Sequence, residues 1–221
     1  MVYMRVPFGG LTKGRPTKTV ILLFSIFNID NEMNAIEISS QRTVLRLINL
    51  TDVEAIHELH SLPETDHFNT LGIPENLAET QEIIAQWVTA NQAENTTNYT
   101  FKIELNANHQ FIGLFGLKLG NKKYQRGEVW YKIHSSYWNQ GYATEVLAAM
   151  IDFGFDELGL HRIQAGCAVD NIGSIKVLEK VGMIREGRGR EILPLKSGWS
   201  DNFEYSILES DERKQSTVQK Q

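Results

Sequence analysis

Residues Asn139, Gln140, Gly141, Tyr142, Ala143 and Thr144 form a short run, NQGYAT, that leads straight into the apolar-periodic segment EVLAAMIDFGF. Gly141 and Ala143 carry the least side chain available, so the backbone there can approach another molecule closely. The first N–H groups of a helix have no partner within it, and the helix dipole favours negative charge at that end. The chemistry this combination suits is the binding of an anion, a phosphate above all. No Gly-Lys-Ser/Thr follows, so the run is not a P-loop, and it lacks the spaced glycines of a dinucleotide-binding turn. Spacing alone leaves two readings open: a tight turn with small residues for packing, and a phosphate cradle.

A second constellation lies in VDNIGSIKVLEKVGM, which puts Asn171 at the end of a strand and Ser174 in the first turn of a helix. Taken alone, Asn171 reads as a helix cap. Beside the NQGYAT loop at the same end of a sheet it becomes a site candidate, because ligands of open α/β sheets sit beyond the carboxyl ends of parallel strands.

The surrounding pattern predicts the elements that hold these residues. RTVLRLINL alternates as a strand, and Thr51-Asp52-Val53-Glu54 fits a capping box for a following helix. Asn76 to Glu79 opens a second helix, with Leu77, Ile84, Trp87 and Val88 on one face. NYTFKIEL and FIGLFGLKL form a hairpin about the turn NANHQ, and GEVWYKI is the next strand. The loop helix, the strand HRIQAGCAV, a helix over 171–181 closed by Gly182, and the strands REGRGREILPL and WSDNFEYSIL complete the chain. The expectation is a single mixed α/β domain over residues 35–209, with a twisted sheet of seven strands and helices on both faces. A βαβ unit spans roughly residues 127–169. Residues 1–34 read as an extension rather than a secretory signal, with Met33 as an alternative start, and 210–221 read as a polar, frayed tail.

With 221 residues, 42% apolar and 22% charged, the composition is that of a globular protein. The net charge of −5 argues against nucleic acid as the main partner, and no stretch is long enough to span a bilayer. Cys167 is the one cysteine, so no disulfide framework exists, and a reducing, cytoplasmic setting is expected. It reads as a small buried hydrophobe. His57, His60 and His67 are close in sequence without a clear third metal ligand, and no metal is expected.

YWNQGYATEVLAAMIDFGFDELGLHRIQAGCAVDNIGSIKVLEKVGMIREG strongly resembles the GNAT acetyltransferase superfamily, and most of all its ribosomal-protein N-terminal (Rim-type) branch. The likeness covers residues 42–208 in element order and is most specific over 126–208. The superfamily's loop, Arg/Gln-x-x-Gly-x-Gly/Ala, here reads Trp138-x-x-Gly141-x-Ala143. The resemblance implies that the anion is the pyrophosphate of acetyl-CoA. It also implies a splay between the fourth and fifth strands, GEVWYKI and HRIQAGCAV, with the pantetheine arm along Tyr131, Lys132 and Ile133. Of the catalytic roles, it implies Glu191 as an acidic candidate and Ser174 as the residue that orients or protonates the thiolate, while Glu128, on the strand beside the expected thioester, is placed to act as base directly or through water. The tyrosine many members use as acid falls here on Leu178. Each of Glu128, Glu191 and Ser174 has an ordinary structural alternative as a surface or helix residue.

The acceptor expected is a primary amine. Between Thr51 and Asn95 the chain has Asp52, Glu54, Glu58, Glu64, Asp66, Glu75, Glu79, Glu82 and Glu94 but no Lys or Arg, which reads either as an acidic wall that would gather cations or as an ordinary solvated helical surface with capping Glu residues. An α-amine, with a reference pKa of about 7.7–8.0, asks less of a weak base than lysine at about 10.4. The expectation is therefore a peptide or protein N-terminus, with polyamines, aminoglycosides or a non-catalytic acyl-CoA-binding role as alternatives, in a monomer or homodimer.

Overall fold

The computed structural model describes residues 36–213. The expected extension over 1–34 lies outside them, as does the tail from residue 214 onward. Among the described residues the sheet has eight strands in the order β1-β2-β3-β4-β5-β6-β8-β7. These are β1 (Glu37–Ser39), β2 (Thr43–Leu47), β3 (Asn98–Leu105), β4 (Phe111–Leu119), β5 (Arg126–Ile133), β6 (Arg162–Ala168), β7 (Ile184–Leu195) and β8 (Gly198–Leu208). The helices are α1 (Val53–Ser61), the single turn α2 (Pro63–Asp66), α3 (Leu77–Asn91), α4 (Tyr142–Asp152) and α5 (Ile172–Lys180). The eighth strand, β1, escapes sequence reading because it offers only one buried residue, Ile38, in three; alternation needs more length to register.

All neighbouring pairs are antiparallel except β5 and β6, the two strands joined by α4. The capping box sits earlier than expected. Asn49 accepts from the Thr51 N–H, and the Asp52 carboxylate accepts from the Asn49 N–H, so the helical turn starts at Leu50. The other start is as expected: the Asn76 side chain accepts the Glu79 N–H at 3.0 Å.

Successive strand residues face opposite sides of a sheet, and β5 shows what lies on each. Trp130 packs against Trp87 of α3, ring centroids 5.8 Å apart. Tyr131, one residue on, stacks near Phe115 of β4 and reaches Ser174 of α5. The helices α1 to α3 thus cover one face and α4 and α5 the other. Gly116 on β4 makes room for Trp130: a Cβ there would collide with the indole ring. The core between these layers includes Leu45, Ile56, Phe101, Leu114, Val129, Leu147, Met150 and Ile207, all buried. Arg213, the last described residue, meets Asp152 at 3.2 Å and Asp156 at 2.9 Å. One carboxylate closes α4 and the other lies in the turn after it, a pairing that local sequence does not announce.

Candidate active site

The two parallel strands separate. Their pairing is confined to Arg126↔Arg162, Gly127↔Ile163 and Glu128↔Gln164. Beyond it, β5 stays joined to β4 as far as Ile133, and β6 stays joined to β8 as far as Ala168. The edge over 129–133 therefore faces the edge over 165–168 across a wedge that opens toward the loop over 139–144.

The loop meets the requirements of an anion site. Asn139 and Gly141 have φ of +59° and +84°. Left-handed residues in such a turn let successive N–H groups converge on one side. Gly141 is the N-cap of α4 and offers no side-chain cap. Among the described residues, no hydrogen bond is donated by a main-chain N–H between Asn139 and Thr144. A neighbouring set of contacts holds the loop in place. Trp138 Nε1 donates to the Ile133 carbonyl at 2.7 Å, Gln140 Nε2 to the Ser136 carbonyl at 2.9 Å, and Arg42 to the Gln140 carbonyl at 3.1 Å. The Arg42 guanidinium also lies 4.3 Å from the centre of the Tyr142 ring, a cation–π distance.

An acidic residue stands in the first turn of the same helix. Burial disfavours the charge on Glu145, but the Ser40 hydroxyl, the Arg42 N–H and the Arg42 guanidinium outweigh it and hold the carboxyl below its usual range. The guanidinium–carboxylate distance is 2.7 Å. Its charge is thereby compensated beside a position meant for anions.

Residues 42–184 match the acetyltransferase (GNAT) domain family. This chain belongs to the GNAT acetyltransferases. It is 32% identical over 176 residues to the uncharacterized N-acetyltransferase YnaD of Bacillus subtilis, covering 79% of this chain and 98% of the relative. Mycobacterium smegmatis RimJ in complex with CoA-disulfide shares the fold at 22% identity, with a TM-score of 0.70 over 77% of this chain and 85% of that one. A spermidine N-acetyltransferase from Vibrio cholerae, in complex with CoA and spermine, does so at 23% identity, with a TM-score of 0.67 over 76% and 96%. The protein is a GNAT-type N-acetyltransferase, and enzymes of this family use acetyl-CoA. The unspent loop amides and the open wedge fit that co-substrate.

Within this GNAT domain the other candidate residues divide into groups. Asn171 caps α5, its side-chain oxygen accepting the Ser174 N–H at 3.1 Å. Ser174 is buried beneath it. Tyr131, foreseen only for its main chain, has its side chain beside Ser174. The phenol is enclosed, lies close enough to Ser174 to feel it, and makes no well-formed hydrogen bond. Burial pushes it well above the usual range, with Ser174 acting in the other direction. Glu128 is half-buried at the last paired position of the wedge. The structure thus brings Tyr131 and Ser174 together and sets Glu128 at the crotch.

Glu191 is elsewhere. It lies exposed on β7, the outermost strand, with φ of +49°, inside an irregularity between Gly189 and Leu193. Its N–H donates to Asp201 at 2.8 Å. Neighbouring Ile192 joins Phe68, Ala168, Leu193 and Leu195 in a small apolar cluster that brings the β7–β8 hairpin against the segment after α2. Between that segment and the hairpin is a cavity of about 250 Å3 lined by Pro63, Asp66, His67, Ile73, Lys196 and Ser197.

The acidic wall is partly occupied by structural duties. Asp52 pairs with Lys102 at 3.0 Å, and Glu79 accepts from the Glu75 N–H. His57 Nδ1 lies 2.7 Å from the Thr80 hydroxyl. Burial pushes the Cys167 thiol up to about 12, which leaves it inert as a nucleophile.

Proposed function

We propose that this N-acetyltransferase moves an acetyl group from acetyl-CoA to an α-amine of a peptide or protein N-terminus, by direct attack in a ternary complex. The observation that carries the reading is the set of unspent main-chain donors at residues 139–144, placed at the mouth of the β5–β6 wedge. In this reading Asn139, Gln140, Gly141, Tyr142, Ala143 and Thr144 grip the diphosphate, and the β5 edge at Tyr131, Lys132 and Ile133 aligns the pantetheine arm. Asn171 supports the site by capping α5. When bound, acetyl-CoA supplies a thioester carbonyl open to an amine.

The protein's own groups then handle protons. Glu128, at the crotch, receives the proton that the attacking amine gives up, directly or through water. Ser174, with the Tyr131 phenol beside it, holds a proton where a thiolate would leave. Glu191, the second acidic candidate for catalysis, lies exposed on β7 and takes no part in the proton transfers of this reading. The catalytic domain is read as residues 35–209, acting in the cytoplasm, as a monomer or homodimer. A polyamine acceptor is the second reading, favoured by the stretch from Thr51 to Asn95 that contains no Lys or Arg.

Mass spectrometry of a panel of peptides and amines incubated with protein and acetyl-CoA tests this. The expected product is a peptide acetylated at its first residue. Glu128→Gln and Ser174→Ala should each slow its formation by about 10²-fold or more. Saturable CoA binding with no acetyl transfer to any amine would overturn the reading.

A further inference from the structure

β5, α1, α2 and the segment after α2 together carry four buried polar side chains with unspent bonding capacity. Lys132 is 1% exposed, and its Nζ has no hydrogen-bond partner. The same is true of Asp66 Oδ1, Asn69 Nδ2 and His60 Nδ1, in residues that are 5%, 4% and 2% exposed. Burying such groups without partners is costly, most of all for an ammonium.

These groups are neighbours. Burial draws the Lys132 ammonium down to about 8, while the Asp66 carboxylate works in the other direction. Lys132 in turn opposes a charge on His60. Asn69 belongs to the same segment as Asp66, its N–H donating to the Asp66 carbonyl at 2.8 Å. Asp66 also lines the cavity between the segment after α2 and the β7–β8 hairpin. Asp66 is thus the member of the cluster that stands on the cavity wall.

Its chemistry is mixed. Lys132 and Asn69 offer N–H donors, and Asp66 offers an acceptor. A guest that matches all of them has an amine with a carbonyl or carboxylate oxygen on the next carbon. The amine N–H groups go to Asp66, and the oxygen goes to Lys132 and Asn69. A simple alkylamine or a polyamine gives Lys132 and Asn69 nothing to bond and brings a second cation beside the ammonium.

We propose that Lys132, Asp66 and Asn69 form a specificity subsite that selects acceptors carrying an α-amine next to a carbonyl oxygen. The inference rests on the acetyl-transfer reading above and names the chemistry that its acceptor side recognises. Both a peptide N-terminus and a free amino acid carry this group.

The test compares kcat/KM of the full chain for glycinamide, glycine, a glycine-initiated tripeptide, ethylamine and spermidine. The wild-type enzyme should prefer the α-aminoacyl acceptors to ethylamine and spermidine by about tenfold or more. Lys132→Met should shrink that preference by about tenfold, through KM, and Lys132→Arg should restore part of it. Asn69→Ala carries the same comparison if Lys132→Met does not fold. Faster turnover of the tripeptide than of glycine supports the subsite with a peptide as the source, and the reverse supports it with a free amino acid. A wild-type preference for spermidine, or a preference that neither Lys132→Met nor Asn69→Ala alters, overturns the subsite while acetyl transfer stands. Coenzyme binding with no amine acetylated would overturn both.

Discussion

Arg42, at the entry to β2, and Glu145, in the first turn of α4, are 103 residues apart in the chain and meet at 2.7 Å. The same carboxylate accepts from the Arg42 N–H and from the Ser40 hydroxyl, each at 2.6 Å. The other arm of the guanidinium reaches the Gln140 carbonyl. One side chain thus ties the sheet edge to the loop and offsets the negative charge at the helix end. Charge-assisted bonds of this kind contribute more than neutral ones. Glu145→Gln keeps the shape and weakens the set, so the unfolding free energy should fall by about 1–3 kcal/mol. Chemical denaturation of the two proteins checks it.

Gly141 is needed twice, for its φ of +84° and for the approach of a ligand to its backbone. Gly141→Ala should lose about 1–2 kcal/mol from the left-handed conformation alone. Gly141→Glu adds bulk and like charge where a diphosphate is read to bind, and CoA affinity should be abolished. Calorimetric titration with CoA measures this, and an unaltered affinity in the Glu variant would remove the loop from the site.

Tyr131 and Ser174 are read as one proton-holding unit because the phenol is enclosed against the serine. Tyr131→Phe and Ser174→Ala should each lower kcat by about 10²-fold or more, and the double variant should be little worse than either single one. Steady-state kinetics on the three variants decide it. Multiplying losses would mean that the two residues act separately.

His60 makes the fold sensitive to acid. Burial, then the Lys132 charge, then His57 lower its pKa to about 3, from 6.5. Between those values the unfolded chain takes up a proton that the folded chain refuses, so acid favours unfolding. Stability should fall as pH drops from about 6.5 toward 3, and His60→Gln should flatten that part of the profile. Thermal melting across this range, with and without the substitution, is the measurement.

Element order, the hairpin, the βαβ crossover and the loop–helix junction were all legible in the residues, because alternation, helical spacing and capping are local properties. The departures have local causes too. β1 is too short to alternate, and the capping box was displaced because Asn49 and Thr51 are both plausible caps. Glu191 could be placed on a strand, but not on the outermost one, since the swap that puts β8 between β6 and β7 is a matter of topology. Tyr131 was legible as part of a strand edge; its phenol beside Ser174 was not.

By itself the sequence determined which longer segments become strands and helices, and that small residues stand at the start of α4. Those follow from each residue's own backbone preference and from periodicity within a few neighbours. Only the tertiary structure decided where β5 and β6 part, that Arg42 reaches Glu145, and that Lys132 is buried where the Asp66 charge acts on it. Each depends on distant segments packed together, where burial and charge act through space rather than along the chain.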